Sequence, residues 1–128
     1  MPGRPKAVAS SSGEVSLEAK LRRTGLWDHF APHVYSADHV THAKPAPDLF
    51  LHAARTMGFR PDECIVIEDS KAGVEAAKRA GMRVCAFVGG SHAVACGLHD
   101  TLAQIGPDAI FDDMLRLPEL VAEVSGVN

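Results

Sequence analysis

The sequence predicts one α/β domain: a mainly parallel sheet covered by helices on both faces, which is a three-layer arrangement. Short apolar runs rich in β-branched residues alternate along the chain with segments of helical periodicity, and this alternation is typical of βαβ units. The 128 residues are the size of one ordinary domain. With 46% hydrophobic and 23% charged residues, the composition is that of a folded protein rather than a disordered one.

Five strands and five helices follow from the local patterns. The strands are predicted at residues 6–10, 34–36, 64–67, 83–88 and 109–111. The run at 64–67 is continuously apolar, which predicts a strand buried on both faces. The helices are predicted at residues 14–24, 48–57, 70–80, 97–105 and 114–124. In the second of these, the apolar residues form one face, Pro47 precedes the helix and Gly58 ends it.

Charge and composition exclude several classes of partner. Lys plus Arg is 13 and Asp plus Glu is 16, so the net charge is −3, and nothing attracts the chain to nucleic acid or to an anionic membrane. The apolar runs are too short to span a bilayer, and no signal peptide is visible. Three cysteines, Cys64, Cys85 and Cys96, indicate reduced thiols. We therefore expect a cytoplasmic protein with no nucleic-acid and no membrane partner.

Polar residues follow the first predicted strand and precede the second helix. Ser10 and Ser11 stand between a strand and a helix, where a hydroxyl and free backbone N–H groups can form an anion cradle. A serine run here is also a common N-cap and turn. Lys44 is followed by Pro45 and Pro47, which restrict the backbone and fix where the ammonium points. A lone lysine at such a place is, however, usually solvated surface.

The acidic pair Glu68 and Asp69 follows the apolar strand at 64–67. Two adjacent carboxylates at the end of a buried strand are costly unless a cation satisfies them. Mg²⁺ is the natural partner, because it binds through one or two carboxylates and keeps several waters. The competing interpretation is that Asp69 or Ser70 caps the next helix, which is compatible with metal binding. Ligands of parallel sheets gather at the carboxyl ends of the strands, so these polar groups are expected to meet there.

In this order and with these neighbours, the polar groups resemble three motifs of the haloacid dehalogenase (HAD) superfamily of phosphohydrolases. Val8-Ala9-Ser10 is similar to the second motif and Lys44-Pro45-Ala46-Pro47-Asp48 to the third. Ile65 to Ser70, with Ala72-Gly73, is similar to the fourth. The resemblance extends from about residue 6 to residue 88 and is strongest to the phosphoglycolate phosphatase and β-phosphoglucomutase branch. It implies a Rossmann-like, HAD-like core.

The resemblance also implies roles for the site residues. Ser10 would hydrogen-bond the transferring phosphoryl group with help from the Ser11 backbone N–H, and Lys44 would bridge the phosphate and the nucleophile. Asp69 would ligate Mg²⁺, with Glu68 in or near its coordination shell. The implied activity is a Mg²⁺-dependent phosphatase acting on a small phosphorylated metabolite, of the sugar phosphate or phosphoglycolate type.

Two parts of the family pattern are absent from this sequence. Members use an aspartate nucleophile in a DxDxT motif at the end of their first strand, and a helical cap follows it. We therefore expect residues 1–128 to be the carboxyl-terminal part of a HAD-like core that lacks the first strand and the cap. Such a chain should be inactive alone and could self-associate through an exposed sheet edge. The alternatives are a non-catalytic phosphate-binding or partner-binding module, and a fragment of a phosphosugar mutase.

The seven histidines show no spacing typical of metal ligands, and we assign none a catalytic role. His39 and His42 precede Lys44 and are expected near the mouth of the site. The segment from Gly89 to His92 follows a predicted strand and is expected to be a flexible turn at the same sheet edge.

Overall fold

The structure is a computed structural model that describes residues 5–89 and 97–125. Its strands are β1 (Val8–Ser10), β2 (Val34–Ser36), β3 (Ile65–Glu68), β4 (Arg83–Phe87) and β5 (Ala109–Phe111). Its α-helices are α1 (Glu14–Arg23), α2 (Trp27–Phe30), α3 (Asp48–Met57), α4 (Lys71–Arg79), α5 (Leu98–Ile105) and α6 (Leu117–Ser125). Short 3-10 turns lie at Ala37–His39, Pro61–Glu63 and Met114–Arg116.

All ten predicted elements are present, and the local sequence explains most of their bounds. Helix α3 begins directly after Pro47 and ends at Gly58, whose φ of 84° is a left-handed conformation that favours glycine. Helix α4 is capped by the Ser70 side chain, which accepts a hydrogen bond from the N–H of Gly73. The last helix starts three residues later than predicted, because a 3-10 turn capped by Asp113 precedes it. The predicted turn from Gly89 to His92 lies largely outside the described residues.

The strands form two parallel sheets rather than one. Strand β1 pairs with β2, and β3, β4 and β5 form a second sheet in that order. Strands β1 and β3 are not hydrogen-bonded to each other, and both border one open cleft at their carboxyl ends. The expectation that residues 64–67 are buried on both faces is therefore wrong for Ile67, which is 36% exposed and borders the open cleft.

Helices cover both faces of the larger sheet, as the three-layer prediction requires. On β4 the side chains alternate: Val84 packs in the core beneath α4, and Cys85 packs on the other face against Leu120 of α6. The larger core cluster joins α3, α4 and α5 through Phe50, Val74 and Leu102. The described helices are all too short or too polar to cross a membrane.

Helix α1 buries only part of its apolar side chains. Leu17 and Leu21 are buried, whereas Val15 is 86% exposed. A smaller core cluster, Tyr35, Leu49 and Ala53, fills the space between β2 and α3. These contacts place the loop after β1 and the loop before α3 side by side at one end of the molecule.

Candidate active site

The five residues predicted for the site line one cleft of about 500 Å³ at the carboxyl ends of β1 and β3. They are Ser10, Ser11, Lys44, Glu68 and Asp69. The sequence separates these residues by up to 59 positions, and the fold brings them together because β1, β3 and the loop before α3 all end at this cleft. Ile67 of the fourth motif adds apolar surface, as do Phe87 and Met114, which lie outside the three motifs.

Ser10 ends β1 and begins the turn into α1. Its Oγ accepts a hydrogen bond of 3.1 Å from the N–H of Ser12, so the hydroxyl oxygen is held at the start of the turn. One of the free N–H groups expected at the start of α1 is already hydrogen-bonded, because Asp38 Oδ2 accepts from the Glu14 N–H at 2.7 Å. The N–H groups of Ser12 and Glu14 are therefore already hydrogen-bonded within the protein.

Lys44 reaches the cleft from the loop before α3 and is held on three sides. Its Nζ donates to the backbone oxygen of Ala9 at 3.1 Å and forms an ion pair with Glu68 Oε2. The ammonium also lies 4.8 Å from the centre of the Phe50 ring. The side chain is only 8% exposed, so the structure excludes the alternative of a solvated surface lysine.

The acidic pair is divided between two environments. Glu68 is 10% exposed, and its carboxylate contacts Lys44 and accepts a hydrogen bond of 3.3 Å from Ser70 Oγ. Asp69 is exposed and lines the cleft. The two residues differ because Glu68 lies on the strand and shares a face with buried Val66, whereas Asp69 lies in the loop that follows.

The donor set suits a hard divalent cation that keeps most of its water. Within residues 5–89 and 97–125, no group of three or more His, Cys, Asp or Glu side chains is arranged to hold a metal ion. Asp69 offers a free carboxylate, and Glu68 offers a second one that already neutralises Lys44. Mg²⁺ is commonly held by one or two carboxylates plus water and substrate oxygens, so this pair fits it.

A second cleft of about 390 Å³ lies on the other side of β2 and contains residues that sequence reasoning did not assign. His39 and His52 stack there with ring centres 5.5 Å apart, and the edge of Tyr35 meets His52. Burial raises the pKa of Tyr35. His39 thus lies in this cleft rather than at the first, and exposed His42 contacts Asp48 at 3.1 Å.

The chain belongs to the haloacid dehalogenase-like hydrolases. The model of that family matches residues 1–81, which is more than half of the sequence. The chain spans about half the length of the relatives described next, or less.

Known phosphatases and solved HAD structures are similar to it. It is 48% identical over 79 residues to the fructose-1-phosphate phosphatase YqaB of Escherichia coli, a match covering 62% of this chain and 42% of that protein. The crystal structure of the HAD-like protein ATU0790 from Agrobacterium tumefaciens superposes with a TM-score of 0.87 at 38% identity, covering 96% and 56% of the two chains. A HAD family hydrolase from Deinococcus radiodurans, crystallised with phosphate and sodium, gives 0.84 at 31% identity, covering 98% and 55%.

Proposed function

We propose that the chain is the carboxyl-terminal part of a Mg²⁺-dependent phosphatase that acts on a small phosphorylated metabolite of the sugar phosphate type. One observation carries this proposal: Ser10, Lys44 and Asp69 line the same cleft. A hydroxyl donor, a buried ammonium and a free carboxylate are the groups needed to bind a phosphoryl group and a divalent cation together. The similarity to a fructose-1-phosphate phosphatase supports the substrate class, and a cytoplasmic location is part of the proposal.

The scheme assigns a role to each residue of the site. Ser10 and the Ser11 N–H hydrogen-bond the phosphoryl oxygens, and Lys44 neutralises the negative charge that grows on them during transfer. Asp69 holds Mg²⁺, with Glu68 at the edge of its coordination shell. When bound, Mg²⁺ would supply charge neutralisation at the phosphate. Glu68 also keeps Lys44 in place, because it is the carboxylate paired with that ammonium.

The nucleophile is the missing group, and we propose that it comes from a strand outside this sequence. Among the described residues, Glu68 and Asp69 are the carboxylates that line the cleft, and both have the roles given above. The open space between β1 and β3 borders the same cleft and has unpaired strand edges on both sides. A parallel strand there would place its carboxyl end, and an aspartate on it, beside Lys44. Without it, we propose that these edges favour self-association.

The test is made on the purified chain. Titration with inorganic phosphate, followed by amide NMR, should shift the signals of Ser10 and Ser11. Mg²⁺ should shift the signals around Asp69, weakly because a nucleophile normally supplies part of the coordination. An Asp69→Asn variant should lose the Mg²⁺ response and keep the phosphate response. Phosphate shifts that fall elsewhere would contradict the assignment of the site.

Turnover is measured with Mg²⁺ and p-nitrophenyl phosphate. The chain alone should show no activity above a Lys44→Ala control, because the two described carboxylates that line the cleft, Glu68 and Asp69, are assigned here to Lys44 and Mg²⁺ rather than to the covalent intermediate. Activity that disappears in the Lys44→Ala variant would show that the chain carries a complete site, and the proposed missing strand would then be wrong.

A further inference from the structure

We infer that Gly73 is a positioning residue, because its missing side chain is the space that the Glu68 carboxylate occupies. A Cβ built on Gly73 would lie 2.1 Å from both Cδ and Oε1 of Glu68 and 2.6 Å from Oε2. These distances are far below van der Waals contact, so an alanine at 73 and the present position of Glu68 exclude each other. The consequence for phosphoryl transfer rests on the proposed function, whereas the steric relation between the two residues does not.

The backbone conformation gives no reason for a glycine at this position. Gly73 is in the first turn of α4, and the glycines with positive φ in the described residues are others. Alanine is favoured over glycine within a helix, because glycine has more conformational freedom to lose. The clearance beneath the helix is therefore what the glycine provides.

Neither side of the contact can move aside without loss. Helix α4 cannot shift outward easily, because Val74, Ala76 and Ala77 are fully buried in the core. The N–H of Gly73 also donates to Ser70 Oγ at 3.0 Å, which fixes the first turn. Glu68 would have to swing away, and it would then lose its contacts with Lys44 and Ser70.

Displacement of Glu68 would release Lys44. The ammonium would keep the Ala9 oxygen and the Phe50 ring but lose its only ion-pair partner in the described part of the chain. A lysine with 8% exposure and no carboxylate would move toward solvent, since burial of an unpaired charge is costly. Gly73 thus acts on the proposed phosphate site through Glu68 and Lys44, without itself facing the cleft.

The first measurement is the accessibility of Lys44 to acetylation, read by mass spectrometry with exposed Lys71 as the internal reference. Gly73→Ala should raise the labelling rate of Lys44 several-fold and leave that of Lys71 unchanged. A purely structural role of Gly73, confined to helix packing, would not change the ratio of the two rates. An unchanged ratio in a folded Gly73→Ala variant would overturn the inference.

The second measurement is a thermal melt of Gly73→Ala in two backgrounds. In the natural sequence the substitution should lower Tm, because Glu68 is displaced. In a Lys44→Met/Glu68→Ala background, which removes the ion pair without leaving an unpaired charge, it should leave Tm unchanged or raise it. Equal losses of Tm in both backgrounds would overturn the inference.

The two backgrounds also cover the case in which Gly73→Ala alone does not fold. Recovery of folding in the triple variant Lys44→Met/Glu68→Ala/Gly73→Ala then supports the steric relation. A triple variant that stays unfolded while Lys44→Met/Glu68→Ala folds overturns it. None of these measurements uses phosphatase activity, so a failure of the proposed function, seen as no phosphate response at Ser10, remains distinguishable from a failure of this inference.

Discussion

Among the polar contacts, breaking the ion pair between Lys44 and Glu68 by a single substitution should lower the free energy of unfolding the most. Lys44→Met removes the ammonium and leaves a carboxylate that is 10% exposed and that, among the described residues, keeps the hydrogen bond from the Ser70 hydroxyl. Removing one partner of a buried pair typically costs about 3–5 kcal/mol, because the other charge stays buried without compensation. The double variant Lys44→Met/Glu68→Gln removes both charges and should recover most of that loss.

The expected change in melting temperature follows from the size of the chain. An unfolding entropy of about 2.1 cal/mol/K per residue gives about 0.27 kcal/mol/K for 128 residues. A loss of about 3–5 kcal/mol in the free energy of unfolding then lowers Tm by about 11–19 °C. Thermal melts followed by far-UV circular dichroism, with urea denaturation as the second method, measure this directly.

A surface ion pair of the same chain provides the matched control. Arg22 and Glu18 lie 3.2 Å apart on α1 with side chains 58% and 47% exposed. Arg22→Met should change the free energy of unfolding by less than about 1 kcal/mol, because solvent screens the pair. If Lys44→Met costs no more than Arg22→Met, or if the double variant loses as much as Lys44→Met, the burial argument is refuted.

Three further changes have outcomes that the structure determines. Leu102→Ala, at a fully buried position, should lower the free energy of unfolding in urea by about 2–5 kcal/mol, whereas exposed Val15→Ala should change it by less than about 0.5 kcal/mol. Asp38→Ala removes the acceptor of the Glu14 N–H and should lower the free energy of unfolding by about 1 kcal/mol in thermal melts. Asp38→Asn keeps an acceptor oxygen and should lose much less. Burial raises the pKa of the Cys85 thiol above its ordinary value of 9.0, so the stability it confers is complete below about pH 9 and is lost as pH rises further. The difference between the unfolding midpoints at pH 8 and pH 10 should be smaller in Cys85→Ala than in the natural chain.

The elements were predictable because their signals are local. Helix α3 follows from the spacing of its apolar residues and from Gly58, and β4 follows from a continuous apolar run. Both signals lie within a dozen residues. Neither signal depends on how the rest of the chain packs, which is why all ten predicted elements are present in the structure.

The contacts that complete the site were not predictable in this way. Asp38 caps α1 from 24 positions along the chain, and Lys44 pairs with Glu68 over the same separation. The strand alternation did contain one usable signal. Because Val66 and Glu68 are two residues apart on β3, they share the face that α4 covers, and this separates Glu68 from Asp69.

The outer edge of the smaller sheet offers few free backbone donors to a further strand. The backbone N–H groups that β2 turns away from β1 are those of Val34 and Ser36. The first donates to the Pro32 oxygen and the second to His39 Nδ1, each at 2.9 Å. Since these donors are already satisfied, another chain that adds a strand should prefer the edges of β1 and β3 to that of β2.

Self-association through that open cleft should therefore depend on Ile67. This side chain is 36% exposed on β3 beside the cleft, whereas Val15 is 86% exposed on α1. Ile67→Lys places a charge where a second chain would pair and should shift the protein toward the monomer in size-exclusion chromatography with light scattering. Val15→Lys adds the same charge outside the cleft and should leave the distribution unchanged. A natural chain that stays monomeric as concentration rises, or equal effects of both variants, would contradict this assignment, because association through the cleft requires the edge of β3 to be reached.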